Sequence, residues 1–170
     1  MKKSFVFLFF ISLVCAFCFA ATAKGDYSLD EVDNTLCSGL IYYMKSSGLL
    51  EEFSGYGIYM NDDVWNLSFS DSYNKYPVLV YFNEDTVVMG RICDFDFSSI
   101  DEEAVLNAIN TTASTYAEWT TFAFAEKKVF ASTIIMTEGL TLPMLASELR
   151  WFRDMSALGF TSIGGIVGVE

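Results

Sequence analysis

The chain predicts an α+β fold: one antiparallel β-sheet of five or six strands with three flanking helices. Apolar residues recur at helical spacing in three segments, each preceded by a capping residue, while between them the spacing shifts to two. The period-two segments come in pairs joined by turns too short for a crossover, which forces antiparallel pairing and leaves the helices to pack on the sheet. The resulting order is helix, two hairpins, helix, hairpin, helix.

The first 23 residues read as a secretory signal peptide. Lys2 and Lys3 form a charged start, Phe5 to Phe19 is apolar apart from Ser12, and Ala21-Thr22-Ala23 fits an A-x-A cleavage site. An apolar core of about 15 residues is short against the roughly 20 that a spanning helix needs, so cleavage is expected rather than anchoring. The residues before Cys15 and Cys18 lack the small-residue approach of a lipid attachment site. The mature chain is therefore expected to be periplasmic or secreted.

Processing after Ala23 would leave 147 residues with 8 basic and 22 acidic side chains, a net charge of −14. That is the size of one domain with a real core, expected over residues 24–160, followed by a Gly-rich tail at 161–170. Such a negative surface repels nucleic acid and anionic lipid, so neither is expected as a partner, nor is stable membrane insertion after cleavage.

Ser28-Leu29-Asp30-Glu31 is a capping box and opens the first helix, whose stripe is Leu29, Val32, Leu36, Leu40 and Tyr43. Gly48 should end it. Two hairpins follow: Tyr56 to Met60 with Trp65 to Ser70 around Asn61-Asp62-Asp63, then Pro77 to Phe82 with Thr86 to Phe95 around Asn83-Glu84-Asp85. The unbroken apolar run Val78 to Phe82 marks a central strand covered on both faces, and Gly90 suggests a bulge.

A second capping box, Ser99-Ile100-Asp101-Glu102, opens a helix to about Tyr116 with Val105, Ile109, Ala113 and Tyr116 inward. The third hairpin joins Thr120 to Ala125 with Val129 to Met136. A last helix starts after Thr141, tolerates Pro143 in its first turn, buries Leu142, Leu145, Leu149, Phe152 and Met155, and should stop at Gly159.

Leu106-Asn107-Ala108-Ile109-Asn110, the aromatic strand around Phe122 and Phe124, the strand Val129 to Met136 and the helix-opening Gly139-Leu140-Thr141 together resemble the C-terminal half of the YbjN family. The hairpin Val78 to Ile92 is similar to its central strands. The resemblance implies a fold like that of type III secretion chaperones, frequent homodimerisation, and a regulatory or partner-binding role without catalytic residues.

Absence of histidine excludes Ser-His-Asp and Cys-His catalysis and histidine metal sites. Cys37 and Cys93 survive processing and leave two readings open, a disulfide or two separately buried thiols. Asp94 and Asp96 fall two apart on a predicted strand, where paired acids could divide acid and base roles, although a solvated strand face explains them as well. Asp62, Asp63 and Asp71 could cage calcium but lack the order of a calcium loop, and turn chemistry accounts for the first two. Tyr56, Tyr59, Tyr73 and Tyr76 cluster in and beside the first hairpin, where accessible rings suit peptide contact and ordinary sheet packing is the alternative. The reading these features favour is an exported, non-enzymatic protein- or peptide-binding module needing no cofactor or metal. A carboxylate-based hydrolase and a structural protein of the cell envelope are the alternatives.

Overall fold

A computed structural model describes residues 27–116 and 120–169; the expected signal peptide lies outside the described residues. Six strands, β1 (Gly55–Asn61), β2 (Val64–Ser70), β3 (Val78–Phe82), β4 (Thr86–Ile92), β5 (Thr121–Ala125) and β6 (Lys128–Met136), form one sheet. Its order is β1-β2-β3-β4-β6-β5, and every neighbouring pair is antiparallel. Three helices, α1 (Thr35–Ser46), α2 (Glu102–Tyr116) and α3 (Leu142–Val167), share one core with a single sheet face. The α+β class and the sheet-plus-three-helix architecture are those the sequence predicts.

The turns explain the register. Asp62 and Asp63 take φ of 48° and 61°, and Glu126 and Lys127 take 50° and 60°. Paired left-handed residues make the two-residue turn whose twist matches that of the flanking strands, here without any glycine. Alternation then sends Trp65, Leu67 and Phe69 of β2, Val78, Val80 and Phe82 of β3, and Val87 and Met89 of β4 to the helical layer. From the helices, Cys37, Leu40, Ile41 and Met44 of α1, Val105 and Ile109 of α2, and Leu145, Leu149, Phe152 and Phe160 of α3 complete the core.

Several expected boundaries move. The Ser28 capping box forms, with Glu31 accepting from the Ser28 N–H and hydroxyl at 2.7 Å each, but it closes only a short 3-10 turn, Leu29–Glu31. Helix α1 starts afresh at Thr35, because Asn34 accepts from the Cys37 N–H at 2.9 Å and supplies a better cap. At α2 the capping acceptor is Asp101, which receives the Ala104 N–H, rather than Ser99, and Thr112 rather than Ala113 is fully turned inward. Gly90 pairs regularly with Leu79 and Ser132, so no bulge interrupts β4.

The largest correction concerns Gly159, which does not end the last helix. A Cβ there would come within 2.1 Å of Phe122 Cζ. The glycine is a seat for an aromatic ring, and α3 continues to Val167, taking in most of the Gly-rich tail before Gly168 closes it at φ 77°. Among the described residues no helix is long and apolar enough to cross a membrane.

Candidate functional site

All three described helices lie on one face of the sheet, and no described helix covers the other. The strand register sets the side chains of that other face in rows. Tyr59, Asn66, Tyr81, Val88 and Ile134 form one row across β1, β2, β3, β4 and β6, and Thr86 and Met136 continue the apolar edge beside it. Leu79, Ile92 and Phe130 occupy neighbouring rows and, with Tyr81 and Ala125, pack around Val88 as a second, smaller apolar cluster. Ile134 is 50% exposed and Met136 61%. Burial holds the Tyr81 phenol well above its ordinary pKa, so it is a neutral hydroxyl in this cluster.

This surface was legible only in part. Strand β6 is apolar at both parities: Val129, Ala131 and Ile135 face the helices, while Phe130, Ile134 and Met136 face away. Nothing in the spacing of that strand alone marks it out, and the candidate residues the sequence offers lie elsewhere.

The four candidate tyrosines do not form one patch. Tyr56 and Tyr59 are three residues apart on β1 and point to opposite faces. Tyr56 pairs with Phe69 on the helical side, with Lys45 Nζ 5.4 Å from its ring. Tyr59 faces the open side; its hydroxyl accepts from Ser68 at 3.3 Å and leans over Gly57, where a Cβ would meet it at 2.5 Å. Tyr73 is exposed in the β2–β3 loop. Tyr76, half-buried in that loop, lies beneath Lys75 and Lys128 at 5.7 and 5.9 Å.

The carboxylates do not converge either. Strand β4 stops at Ile92, so Asp94 and Asp96 share no strand face. Asp94 accepts from the Lys75 N–H at 3.1 Å and ties down the β2–β3 loop, while Asp96 accepts from the Ser98 N–H at 2.9 Å. That last bond, which favours the charged form, holds the Asp96 carboxyl below its ordinary pKa. Asp62 and Asp63 sit in the β1–β2 turn, at the opposite end of β2 from Asp71. Asp71 is instead buried against Arg91, and no group of three metal-binding side chains comes together among the described residues.

Arg91 was not singled out by sequence reasoning. It occupies a helix-facing position of β4 with 0% exposure. Its Nη2 meets Asp71 at 2.7 Å, its Nε donates to the Tyr76 carbonyl at 3.2 Å and its Nη1 to the Arg153 carbonyl at 3.4 Å. Arg153 in turn pairs with Glu52 and Asp154, so the cluster joins β4, the β2–β3 loop and α3. Every arginine is engaged within the protein, which makes this a structural network.

Cys37 and Cys93 are free thiols, both buried, and burial pushes each up to about 12. A thiol so raised is a poor nucleophile. A depression of about 200 Å³ lined by Ser147, Arg150, Trp151 and Asp154 lies on α3. It is small against the roughly 300 to 1,000 Å³ typical of ligand pockets.

No family model matches this chain, and no curated protein matches it. Solved structures similar to it include YbjN from E. coli, at 11% identity and a TM-score of 0.45, covering 72% of this chain and 86% of that one. The HopA1–SchA chaperone–effector complex is similar at 13% identity and a TM-score of 0.39, covering 68% of this chain and 95% of the matched one.

Proposed function

We propose that this chain is an exported, non-enzymatic module that holds a protein or peptide partner on the helix-free face of its sheet. The observation that carries this reading is the half-exposed pair Ile134 and Met136, contiguous with the apolar cluster around Val88. Apolar side chains grouped on an open face gain free energy when a partner removes them from water, about 25 cal/mol for each Å² covered. Tyr59 in the same row adds a rigid ring with a polar end, suited to a peptide backbone.

Export is supported by Lys2, Lys3, the apolar run and the A-x-A site, and protein from its native envelope should begin at or near Lys24. Membership of the YbjN family, and with it a regulatory or chaperone-like role, is proposed from the segments quoted above. Against a hydrolase stand Asp71, Asp94 and Asp96, which are each committed to a separate structural contact.

The test is capture from an envelope extract by the parent protein and by Ile134→Glu/Met136→Glu, with mass spectrometry of what is retained. The reading expects a partner held by the parent and lost by the variant. Equal retention by both would reject the face.

A further inference from the structure

The fold divides its methionines sharply. Among the described residues Met44 and Met89 are 0% exposed in the core, Met60 and Met155 are half-buried, and only Met136, at 61%, and Met144, at 54%, stand out in water. Met144 lies in the first turn of α3, in the helical layer. Met136 lies near the end of β6 on the helix-free face, two residues from Ile134 and the apolar cluster around Val88. One exposed thioether thus stands inside the surface read above as the partner's seat, and the other stands in the opposite layer.

The exposure of Met136 is not that of a frayed end. Ile135 pairs with Val87 and Met136 with Thr86, and the Thr137 N–H donates to the Asp85 carbonyl at 3.0 Å, so the backbone is held on both sides of the thioether. The surrounding charge favours one class of oxidant. Glu84 and Asp85 form the turn that leads into Thr86, and Glu138 follows two residues after Met136. These carboxylates repel an anionic oxidant such as hypochlorite and leave uncharged hydrogen peroxide unhindered. Cys37 and Cys93 are buried and do not intercept it.

We propose that Met136 is an oxidation switch for the helix-free face, converted by hydrogen peroxide to the sulfoxide with release of the partner. The proposal rests on the partner-binding and export readings above, since oxidising conditions prevail outside the cytoplasm. The thioether sulfur attacks one peroxide oxygen. An S–O bond forms, the O–O bond breaks, sulfur gives up two electrons, and the departing hydroxide takes the proton of the transferred oxygen and leaves as water. The product is uncharged but sets a strong hydrogen-bond acceptor where an apolar methyl thioether had been. A partner covering Met136 must then strip water from that S–O group without returning a hydrogen bond, which opposes docking. Leucine would offer a similar apolar contact with no such response, and enzymatic reduction restores the thioether, so the change is reversible.

The test treats protein from its producing cells with dilute hydrogen peroxide, maps each methionine by peptide mass spectrometry, and uses the envelope extract as the probe. Met136 and Met144 should oxidise first, with Met44 and Met89 spared and the melting temperature unchanged. Retention by the treated parent should fall about tenfold, the scale of losing one anchor side chain, and should return after methionine sulfoxide reductase treatment. Met144→Leu should lose retention on treatment as the parent does. Met136→Leu, whatever its own level, should hold that level before and after peroxide. A Met136 that resists peroxide while Met144 reacts, a loss that Met144→Leu abolishes, or a loss accompanied by a fall in melting temperature would each overturn the proposal. Equal retention by untreated parent and untreated Ile134→Glu/Met136→Glu would reject the face itself, and the switch with it. Retention that depends on those two residues yet ignores peroxide would reject the switch alone.

Discussion

The Arg91 guanidinium and the Asp71 carboxylate meet at 2.7 Å with both side chains shut off from water, at 0% and 1% exposure. The pair locks the β2–β3 loop to β4, and Arg91 reaches on to the Arg153 carbonyl of α3. Among the described residues Asp71 Oδ2 has no hydrogen-bond partner, and there the desolvation of this carboxylate is only partly offset. Removing one member strands the other. Arg91→Ala should therefore lose about 3 to 5 kcal/mol in urea denaturation. Arg91→Leu combined with Asp71→Leu should lose clearly less than the two single changes added together, the coupling expected of a buried pair.

Two glycines of α3 should respond in opposite directions to the same substitution. Gly159→Ala would set a methyl within 2.1 Å of the Phe122 ring, and overpacking of this kind costs about 1 to 3 kcal/mol. Gly165 has nothing within 4 Å of its Cβ position, so Gly165→Ala should gain up to about 1 kcal/mol from helix propensity. Thermal unfolding of the two variants measures both signs, and a neutral Gly159→Ala would show that Phe122 does not depend on that seat.

Phe152, 1% exposed, is the deepest aromatic side chain of α3. Its truncation to alanine should lose about 3 to 5 kcal/mol in reversible denaturation. A loss below about 1 kcal/mol, the level of surface changes, would mean that α3 does not pack on the sheet as described.

The two thiols predict an alkaline limit. Burial raises Cys37 and Cys93 from 9.0 to about 12 in the folded chain, while in the unfolded chain they titrate near 9.0. Their stability contribution is thus fully present below pH 9.0 and is lost as pH rises from there toward about 12, where the unfolded state releases protons that the folded state keeps. Cys37→Ala/Cys93→Ala should flatten the fall in melting temperature over that interval. In the native parent at neutral pH, a thiol reagent should react only at the rate of unfolding.

Periodicity carried most of the fold into view. Alternation in Trp65, Leu67 and Phe69, the helical stripe of Leu145, Leu149 and Phe152, and the Thr141 cap all stand where their spacing puts them. Local patterns failed where a distant residue decided the outcome. Gly159 looks like a stop signal until Phe122, 37 positions away, is brought over it by β5. Arg91 sits at an inward position of a strand and reads as an anomaly until Asp71 and two backbone carbonyls arrive from other elements. Site residues were harder still. The tyrosines drew notice by number, but strand parity sends Tyr56 and Tyr59 to opposite faces. Ile134 and Met136 became candidates only once every helix had been placed on the other side of the sheet.

The central claim is that the helix-free face holds a protein or peptide partner, and calorimetric titration of the captured partner into purified protein tests it most directly. Replacing Ile134 and Met136 by glutamate removes the apolar contact and adds charge to a chain already at −12. The expected result is binding by the parent and a loss of at least about 2 kcal/mol, roughly thirtyfold in Kd, in the double variant. Unchanged affinity in that variant, with its melting temperature preserved, would contradict the account.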